Sequence, residues 1–455
     1  MDKILPIFYS EYGRYITRFR SIPFYVDCLI PVQRRLLVSL YETARDKLTK
    51  SAKVVGYCMG KYHPHGDQSI YGTLVNLYYN GYIDKQGNFG SDGLHDANPA
   101  QQRYTECKLS KWVKDLAFEY IDYVPWDEYE FEKEPLYLPS PLPLGLIGHG
   151  IYTGIAFHRP QIPKYTISDL AKRLVGLIEG NEEIIIPNAK RCTVIDTSPE
   201  QNQFESILKT GLGKISYVPN GEIKNKKLSI NGRAPNHTFN KLINATKIPE
   251  KGKQKELDVH LVDVSKKGIN VEVIPGKRKM DINKLAQYIW EKYLIKQYNI
   301  NVITCDENGQ VVENGIDNIL KNNYSAWQHA VYLKNINTTD RLYEKKKYMN
   351  IIYIIREIVN KYNSKSISDI VNHFNKDYQN ISMNIEKFNF DTSTWIKKST
   401  VITNKDIEET CSKKSIRALI EVELDLSQID QQIADQKQIV EDTPTHCLNR
   451  LKQYI

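Results

Sequence analysis

The sequence is 455 residues long, 41% hydrophobic and 25% charged, which excludes a disordered chain and calls for more than one domain. Its formal charge of +8 is small for that length and does not by itself mark a polyanion-binding protein. No run of about 18 apolar residues occurs, so no membrane-spanning helix is expected, and the N-terminus shows no signal-type apolar core.

From residue 8 to about 125 the pattern is helical. Pro31 suits the first turn of a helix running through Arg34, Arg35, Leu36, Leu37 and Leu40. A second helix is predicted over Ser51 to Met59. A third opens at Gly66-Asp67, with Ile70, Leu74, Val75 and Leu77 on its apolar side. Three short helices with tight connections suit a helix-turn-helix or winged-helix unit over 1–125. The glycine-rich segment from Gln86 to Gln102 reads as a loop or wing. Residues 126–325 change character. A proline run from Pro135 to Pro143 leads into glycines between Gly145 and Gly154. Strands are predicted at Thr193–Ile195, Gly213–Val218, Leu228–Ile230, Leu257–Val264 and Ile269–Ile274, and helices at Ile167–Glu179 and Ile282–Tyr293, a mixed α/β domain. Its lysine-rich turns, such as Lys224 to Lys227, are read as solvated loops. From 326 to 455 the pattern is nearly all helical. Leu342 to Tyr362 predicts a long helix, and Leu419, Val422, Leu426, Ile429 and Ile433, at spacings of three and four, predict a coiled-coil seam pairing antiparallel with it.

Three motifs carry chemistry. Lys61-Tyr62-His63-Pro64-His65-Gly66-Asp67 sets two imidazoles and a lysine before a helix N-terminus, where free N–H groups favour an anion. The same residues could form only a capping turn, and a third metal ligand is not placed by the spacing. Gln86-Gly87-Asn88-Phe89-Gly90-Ser91 carries glycines that allow close backbone approach to a phosphodiester, or that simply form a tight loop. In Arg103-Tyr104-Thr105-Glu106 a phenol stands beside a guanidinium. A phenol, with a pKa of about 10, attacks phosphorus well only when a neighbouring cation supports it, yet one tyrosine among 30 is by default a packing or surface residue.

These three motifs, in this order and spacing, resemble those of the breakage-reunion subunits of type IIA topoisomerases, the family of the A subunits of gyrase and topoisomerase IV. Upstream, Tyr9, Tyr12, Arg20, Pro23, Asp27, Pro31-Val32 and Arg34-Arg35 resemble the family without gaps. Downstream, Leu142-Pro143, Thr153-Gly154-Ile155-Ala156 and Lys209-Thr210-Gly211-Leu212-Gly213-Lys214 resemble it more loosely. The resemblance implies that Tyr104 is the nucleophile of a 5′-phosphotyrosyl link. Arg103, helped by Arg20 and His65, would stabilise the transition state. Arg34, Lys61 and His63 would hold flanking phosphates, Arg35 and Gln68 would also be DNA-binding, and Ile155 would wedge between base pairs. Asp67 and Gln68 stand where the family places its quinolone-facing helix, Gln68 in place of the usual serine. Ile30, Gln33 and Cys28 depart from the family's lysine, histidine and glycine, and Phe157-His158 from its Val-Gly.

The expected architecture is α+β and multidomain: a winged-helix cleavage domain (1–125), an α/β tower (126–325), and a coiled-coil arm ending in a dimer gate (326–455). No acidic toprim signature or ATP-binding motif is found, so Mg2+ and ATP are expected on a partner ATPase/toprim subunit, with this chain a homodimer within a heterotetramer on double-stranded DNA. The seven cysteines, Cys28, Cys58, Cys107, Cys192, Cys305, Cys411 and Cys447, form no Cys-x-x-Cys pair and fit a reducing compartment. A bacterial or infected-cell cytoplasm is expected, and the length suggests a phage- or virus-type medium subunit. Only fifteen residues follow Val440 and they carry no strand repeat, so relaxation and decatenation are expected rather than DNA wrapping. Two rivals stand beside this reading: a DNA-binding protein that keeps the scaffold without cleavage, and a meiotic-type break-forming protein, which would lack the His-Pro-His-Gly-Asp run.

Overall fold

The computed structural model describes residues 4–129, 132–154, 159–198, 202–247, 256–265, 268–276, 281–378, 381–422 and 425–455. They fall into two compact units, Met1–Trp327 with Leu448–Ile455, and Gln328–Cys447. The first unit thus holds both regions assigned above to cleavage and tower domains. No helix among the described residues is long and apolar enough to cross a membrane.

In the first unit, α1 (Ile4–Ile16) passes through a π-helical turn, Thr17–Ser21, towards α2 (Pro31–Thr43). Proline at the first position of α2 costs nothing, since its missing N–H would have had no helical partner. Gln33 Oε1 accepts from the Ile30 N–H at 3.2 Å and closes that end. Leu36, Leu37 and Leu40 are wholly buried at spacings that keep them on one face. They face α3 (Ser51–Lys61) and α4 (Asp67–Tyr79), the latter burying Ile70, Leu74 and Leu77. Beside the helices lies an antiparallel sheet ordered β1 (Thr49–Lys50), β3 (Glu106–Leu109), β2 (Ile83–Gln86). Between β2 and β3 the expected loop is present, folded back on itself by a Ser91–Ala97 bridge. Its Phe89 is fully buried, with its ring centroid 5.3 Å from that of Tyr78. Helix α5 (Lys111–Ala117) follows.

The chain then builds a hairpin of β4 (Trp126–Tyr129) and β5 (Glu132–Pro135). A five-stranded antiparallel sheet is ordered β6 (Ile151–Thr153), β7 (Gln161–Pro163), β14 (Lys296–Asn301), β9 (Leu212–Pro219), β8 (Cys192–Asp196). Helices α6 (Ile167–Glu179) and α7 (Gln203–Thr210) are interspersed in sequence with its strands. A four-stranded antiparallel sheet is ordered β10 (Gly221–Lys224), β11 (Lys227–Ile230), β13 (Val271–Pro275), β12 (Val259–Asp263). It packs Leu228, Ile230, Val271 and Val273 against Leu242 of α8 (Asn240–Thr246) and Leu285 and Ile289 of α9 (Ile282–Ile289). A small hairpin of β15 (Ile303–Cys305) and β16 (Val311–Glu313) completes the unit. The predicted strands of this region fall on β8, β9, β11, β12 and β13. β14 escapes prediction because only Tyr298 and Ile300 of its polar Lys-Gln-Tyr-Asn-Ile-Asn run are buried.

The second unit is built on α10 (Ile316–Tyr362), a 47-residue helix whose first residues belong to the first unit. It also contains α11 (Ile367–Asp377), α12 (Asn404–Lys413), α13 (Ile416–Ile420) and α14 (Leu426–Glu441), and α15 (Thr443–Lys452) carries the chain out of it. Two expectations are corrected here. The region is not nearly all helical: β17 (Ser382–Asn389) and β18 (Thr394–Val401) form an antiparallel hairpin. The 419–433 seam is not one helix, because α13 ends at Ile420 and α14 restarts after Asp425, whose carboxylate caps the new helix by accepting from Gln428 N–H at 2.9 Å. The apolar residues still run antiparallel along α10. Leu419 packs among Ile351, Ile355 and Ile358, while Ile429 and Ile433 pack with Tyr343 and Met349.

Candidate active site

Tyr104 ends a short 3-10 turn, Gln102–Tyr104, immediately before β3. Its neighbours on both sides are tied down. Thr105 is fully buried, and its hydroxyl lies 2.9 Å from Ser51 Oγ and 3.0 Å from Tyr71 Oη. The Ser51 N–H, at the start of α3, donates to the Thr105 carbonyl at 2.9 Å. Gln102 Nε2 donates to Asp67 Oδ2 on α4 at 2.6 Å, and Tyr71 Oη donates to the Ala100 carbonyl at 2.7 Å. The Tyr104 ring stays 63% exposed, with the Arg103 guanidinium carbon 4.7 Å from its centroid. The segment is fixed and its phenol is presented to solvent beside a cation. The glycines of the second motif serve this packing. A Cβ on Gly87 would lie 3.0 Å from the Tyr104 carbonyl oxygen, and one on Gly90 would lie 2.8 Å from that of Ala97. Gly90 also leaves room for Tyr79 Oη, 2.9 Å from where its Cβ would stand, so both glycines fit the tight loop that the sequence offered as one reading.

His63 is buried, with Nδ1 2.8 Å from Arg35 Nη1. Burial, then the charge of Arg35, then His65 and Arg20, pushes its imidazole down to about 3. It is therefore neutral and accepts the Arg35 hydrogen bond. NMR of the ring protons is expected to show His63 silent between pH 5 and 8, and a midpoint near 6.5 would overturn this assignment. The His65 ring stands at 85° to that of His63, centroids 4.4 Å apart. Arg35 also pairs with Glu134 of β5, its Nη2 at 2.8 Å from Oε1, and is almost fully buried. Arg34 is buried on Asp27, with Nε and Nη2 at 2.7 and 2.9 Å from the carboxylate. Neither arginine presents its guanidinium to solvent, which departs from the expectation that Arg34 holds a phosphate and that Arg35 binds DNA. Lys61 is half-buried and donates to Glu42 and to Tyr57 Oη, both at 3.1 Å. Gln68 is exposed in the first turn of α4, and Arg20 is exposed in the π-turn after α1. Ile155 lies outside the described residues.

A cleft of about 1080 Å³ brings Arg20, His63 and His65 together with Lys164, Lys190 and Arg233. Tyr104, Arg103, Lys61 and Gln68 are not on its wall.

The family that comprises the A subunits of DNA gyrase and topoisomerase IV matches residues 20–443. The chain belongs to that family. It is 34% identical over 236 residues to the DNA gyrase A protein of Clostridium acetobutylicum, covering 48% of this chain and 28% of that protein. It is 31% identical over 376 residues to the DNA gyrase A protein of Buchnera aphidicola (76% and 43%), and 27% identical over 380 residues to the DNA topoisomerase 4 A protein of Staphylococcus aureus (77% and 46%). The chain spans less than half the length of each of these relatives.

In this gyrase A-type chain the partners that hold several site residues went unread in the sequence. Asp27 and Glu134, which hold Arg34 and Arg35, and Ser51 and Tyr71, which hold Thr105, are joined only by the fold. Arg233 Nη2 reaches Asp92 at 2.9 Å and Nη1 reaches Asp96 at 2.5 Å, tying the loop ahead of Tyr104 to the segment after β11. Lys164 did leave a signal, a lysine set between Ile162-Pro163 and Tyr165 in the sequence. Burial pushes its ammonium down to about 8. An unfolded lysine holds its proton to about 10.4, so between those values the unfolded chain binds the extra proton. The cost to stability is full below pH 8 and fades as pH rises towards 10. At about 1.4 kcal/mol per unit it amounts to roughly 3 kcal/mol. Lys164→Met is therefore expected to stabilise the protein in denaturant titrations at pH 7 and to lose most of that gain by pH 10.

Proposed function

We propose that this chain is the DNA-cleaving subunit of an ATP-dependent type IIA topoisomerase, with Tyr104 as nucleophile. The observation that carries the reading is the exposed Tyr104 phenol under the Arg103 guanidinium, on a backbone pinned through Thr105, Ser51 and Tyr71. In the proposed reaction Tyr104 Oη attacks a backbone phosphorus and the P–O3′ bond breaks. The 3′ oxygen leaves and takes a proton, and the 5′ phosphate remains on the tyrosine. Religation is the reverse, and the bond energy is kept in the phosphotyrosine. Arg103 neutralises charge building on the phenolate and the phosphoryl oxygens, with Arg20 and His65 contributing from the cleft. Lys61 and Gln68 contact flanking DNA, whereas Arg34, Arg35 and neutral His63 hold α2, α3 and β5 in register beneath them. Ile155 is proposed as a wedge between base steps.

The same reading assigns 1–125 to a winged-helix cleavage domain, supported by α2 to α4 beside a three-stranded sheet. It assigns 126–325 to a tower and 326–455 to an arm and dimer gate. The functional assembly is a homodimer joined by two ATPase/toprim subunits, of a phage- or virus-type enzyme acting in the cytoplasm. The partner's acidic cluster would supply Mg2+, whose chemistry is charge neutralisation at the scissile phosphate. Incubation with supercoiled plasmid tests this. The purified chain alone is expected to bind duplex without Mg2+-dependent cleavage, and to cleave, relax and decatenate with ATP once a toprim-bearing partner is added. Efficient cleavage by the chain alone would overturn the division of labour. No cleavage in the reconstituted mixture would overturn the reading itself.

A further inference from the structure

Lys164 follows β7 and lines the large cleft, yet only 7% of its surface is exposed. Its backbone is fixed on both sides: the N–H donates to the Gly150 carbonyl at 3.0 Å, and its own carbonyl accepts from Asn188 N–H at 2.7 Å. The stem passes over Gly148. A Cβ there would lie 3.1 Å from Lys164 Cδ and 2.7 Å from Asn80 Oδ1, so the glycine leaves the space that the lysine fills. Among the described residues no carboxylate lies within 4.0 Å of the ammonium. Its oxygen partner is the Ile147 carbonyl at 3.5 Å, and the Tyr82 ring centroid is 5.6 Å away. The other charges on the cleft wall are mostly cationic, and its one carboxylate among the described residues, Asp92, is paired with Arg233 at 2.9 Å. Lys190 lies exposed on the same wall, and it and Lys164 both act on His149, whose imidazole burial and these two lysines hold below its usual range. A buried cation without a countercharge is costly, and an anion entering the cleft removes that cost.

We propose that Lys164, with Lys190 beside it, forms a binding site for a phosphate-type oxyanion in this cleft. Two sources carry that chemistry, a phosphodiester of bound DNA and free inorganic phosphate. Only the first rests on the proposed function. A phosphate oxygen reaching Lys164 gains a charged hydrogen bond in a wall that water enters little, and Lys190 adds a second cation at the mouth.

The test uses the full chain with two variants. Lys164→Met keeps the volume of the stem without the charge. Lys190→Gln changes an exposed residue and leaves the fold intact. In the first arm, duplex affinity is measured by fluorescence anisotropy across a KCl series. If DNA is the source, Lys164→Met lowers affinity about ten-fold at low salt, and the slope of log affinity against log salt falls by about 0.9. In the second arm, the melting temperature is followed as inorganic phosphate replaces chloride at constant ionic strength. If free phosphate is the source, the wild-type chain is stabilised, Lys164→Met does not respond and Lys190→Gln responds less. Either arm supports the site and names its occupant. A Lys164→Met chain that folds and matches the wild type in both arms overturns it, as does a full wild-type response in Lys190→Gln with none lost in Lys164→Met. Covalent capture of DNA at Tyr104 in the reconstituted mixture is scored separately, so the site can fail while the functional reading stands, and the reverse.

Discussion

Replacing Tyr104 with phenylalanine is expected to abolish covalent attachment of the chain to DNA while leaving duplex affinity within about two-fold. The substitution removes one exposed oxygen and nothing else. The ring that lies 4.7 Å beneath the Arg103 guanidinium remains, and so does every hydrogen bond that fixes the segment, because those bonds belong to Gln102, Thr105, Ser51 and Tyr71. A change confined to an exposed atom shifts stability by about 0.5 kcal/mol or less, so the melting temperature should not move. The chemistry, in contrast, loses its nucleophile outright. Detergent trapping of the reconstituted enzyme on labelled duplex, followed by peptide mapping, reads both halves: the wild type should carry label on Tyr104 and the variant none. Label recovered on another tyrosine, or undiminished in the variant, would sink the assignment. Arg103→Ala should lie between, slowing capture without abolishing it.

What the sequence made legible divides along a physical line. Helices α2, α3 and α4 were readable because their buried residues recur every three or four positions and Pro31 marks a start. Tyr104 stood out only through the motif around it, since an exposed tyrosine has no periodic signature. The orientations of Arg34 and Arg35 were not legible. The carboxylates that turn them inward, Asp27 and Glu134, lie seven and 99 residues away, and a basic pair on a helix looks the same whether it faces a phosphate or a buried acid. The β17–β18 hairpin was missed for a related reason. Its strands are rich in Asn, Lys, Ser and Thr, and only Met383 and Ile385 of β17 are buried, so the alternation of a strand is too faint against the strong helical period of α10. The end of α13 at Ile420 and the new start at Asp425 were readable in principle, as Asp425 with Gln428 three residues later is a helix-start signal that the heptad spacing overrode.

Asp27→Ala is expected to cost about 3–5 kcal/mol, a large fraction of the stability of an ordinary domain. The Asp27 carboxylate is wholly buried in the turn that leads into α2. It accepts from Arg34 Nε and Nη2 at 2.7 and 2.9 Å, and from the N–H groups of Leu29 and Leu138, each at 3.0 Å. One side chain therefore joins the start of α2 to the segment after β5, while its own carbonyl takes the Gly145 N–H at 2.8 Å. The fit is tight, for a Cβ on Gly145 would lie 1.7 Å from the Cys28 carbonyl oxygen. Alanine leaves a buried guanidinium without a countercharge and two buried N–H groups without acceptors, and each orphan carries its own penalty. Asp27→Asn, which keeps an acceptor but not the charge, should cost less. The double variant Asp27→Leu/Arg34→Met should recover part of the loss, because no charge is then stranded. Denaturant titrations of the wild type, Asp27→Leu, Arg34→Met and the double variant give the coupling directly. An Arg34→Gln variant separates the two roles considered for Arg34. If Arg34 held a phosphate, Arg34→Gln would lower the salt slope of DNA binding by about 0.9 with little loss of stability. If it serves Asp27, Arg34→Gln loses stability by several kcal/mol and leaves the salt slope alone, which is the outcome its burial and its two short bonds to Asp27 predict.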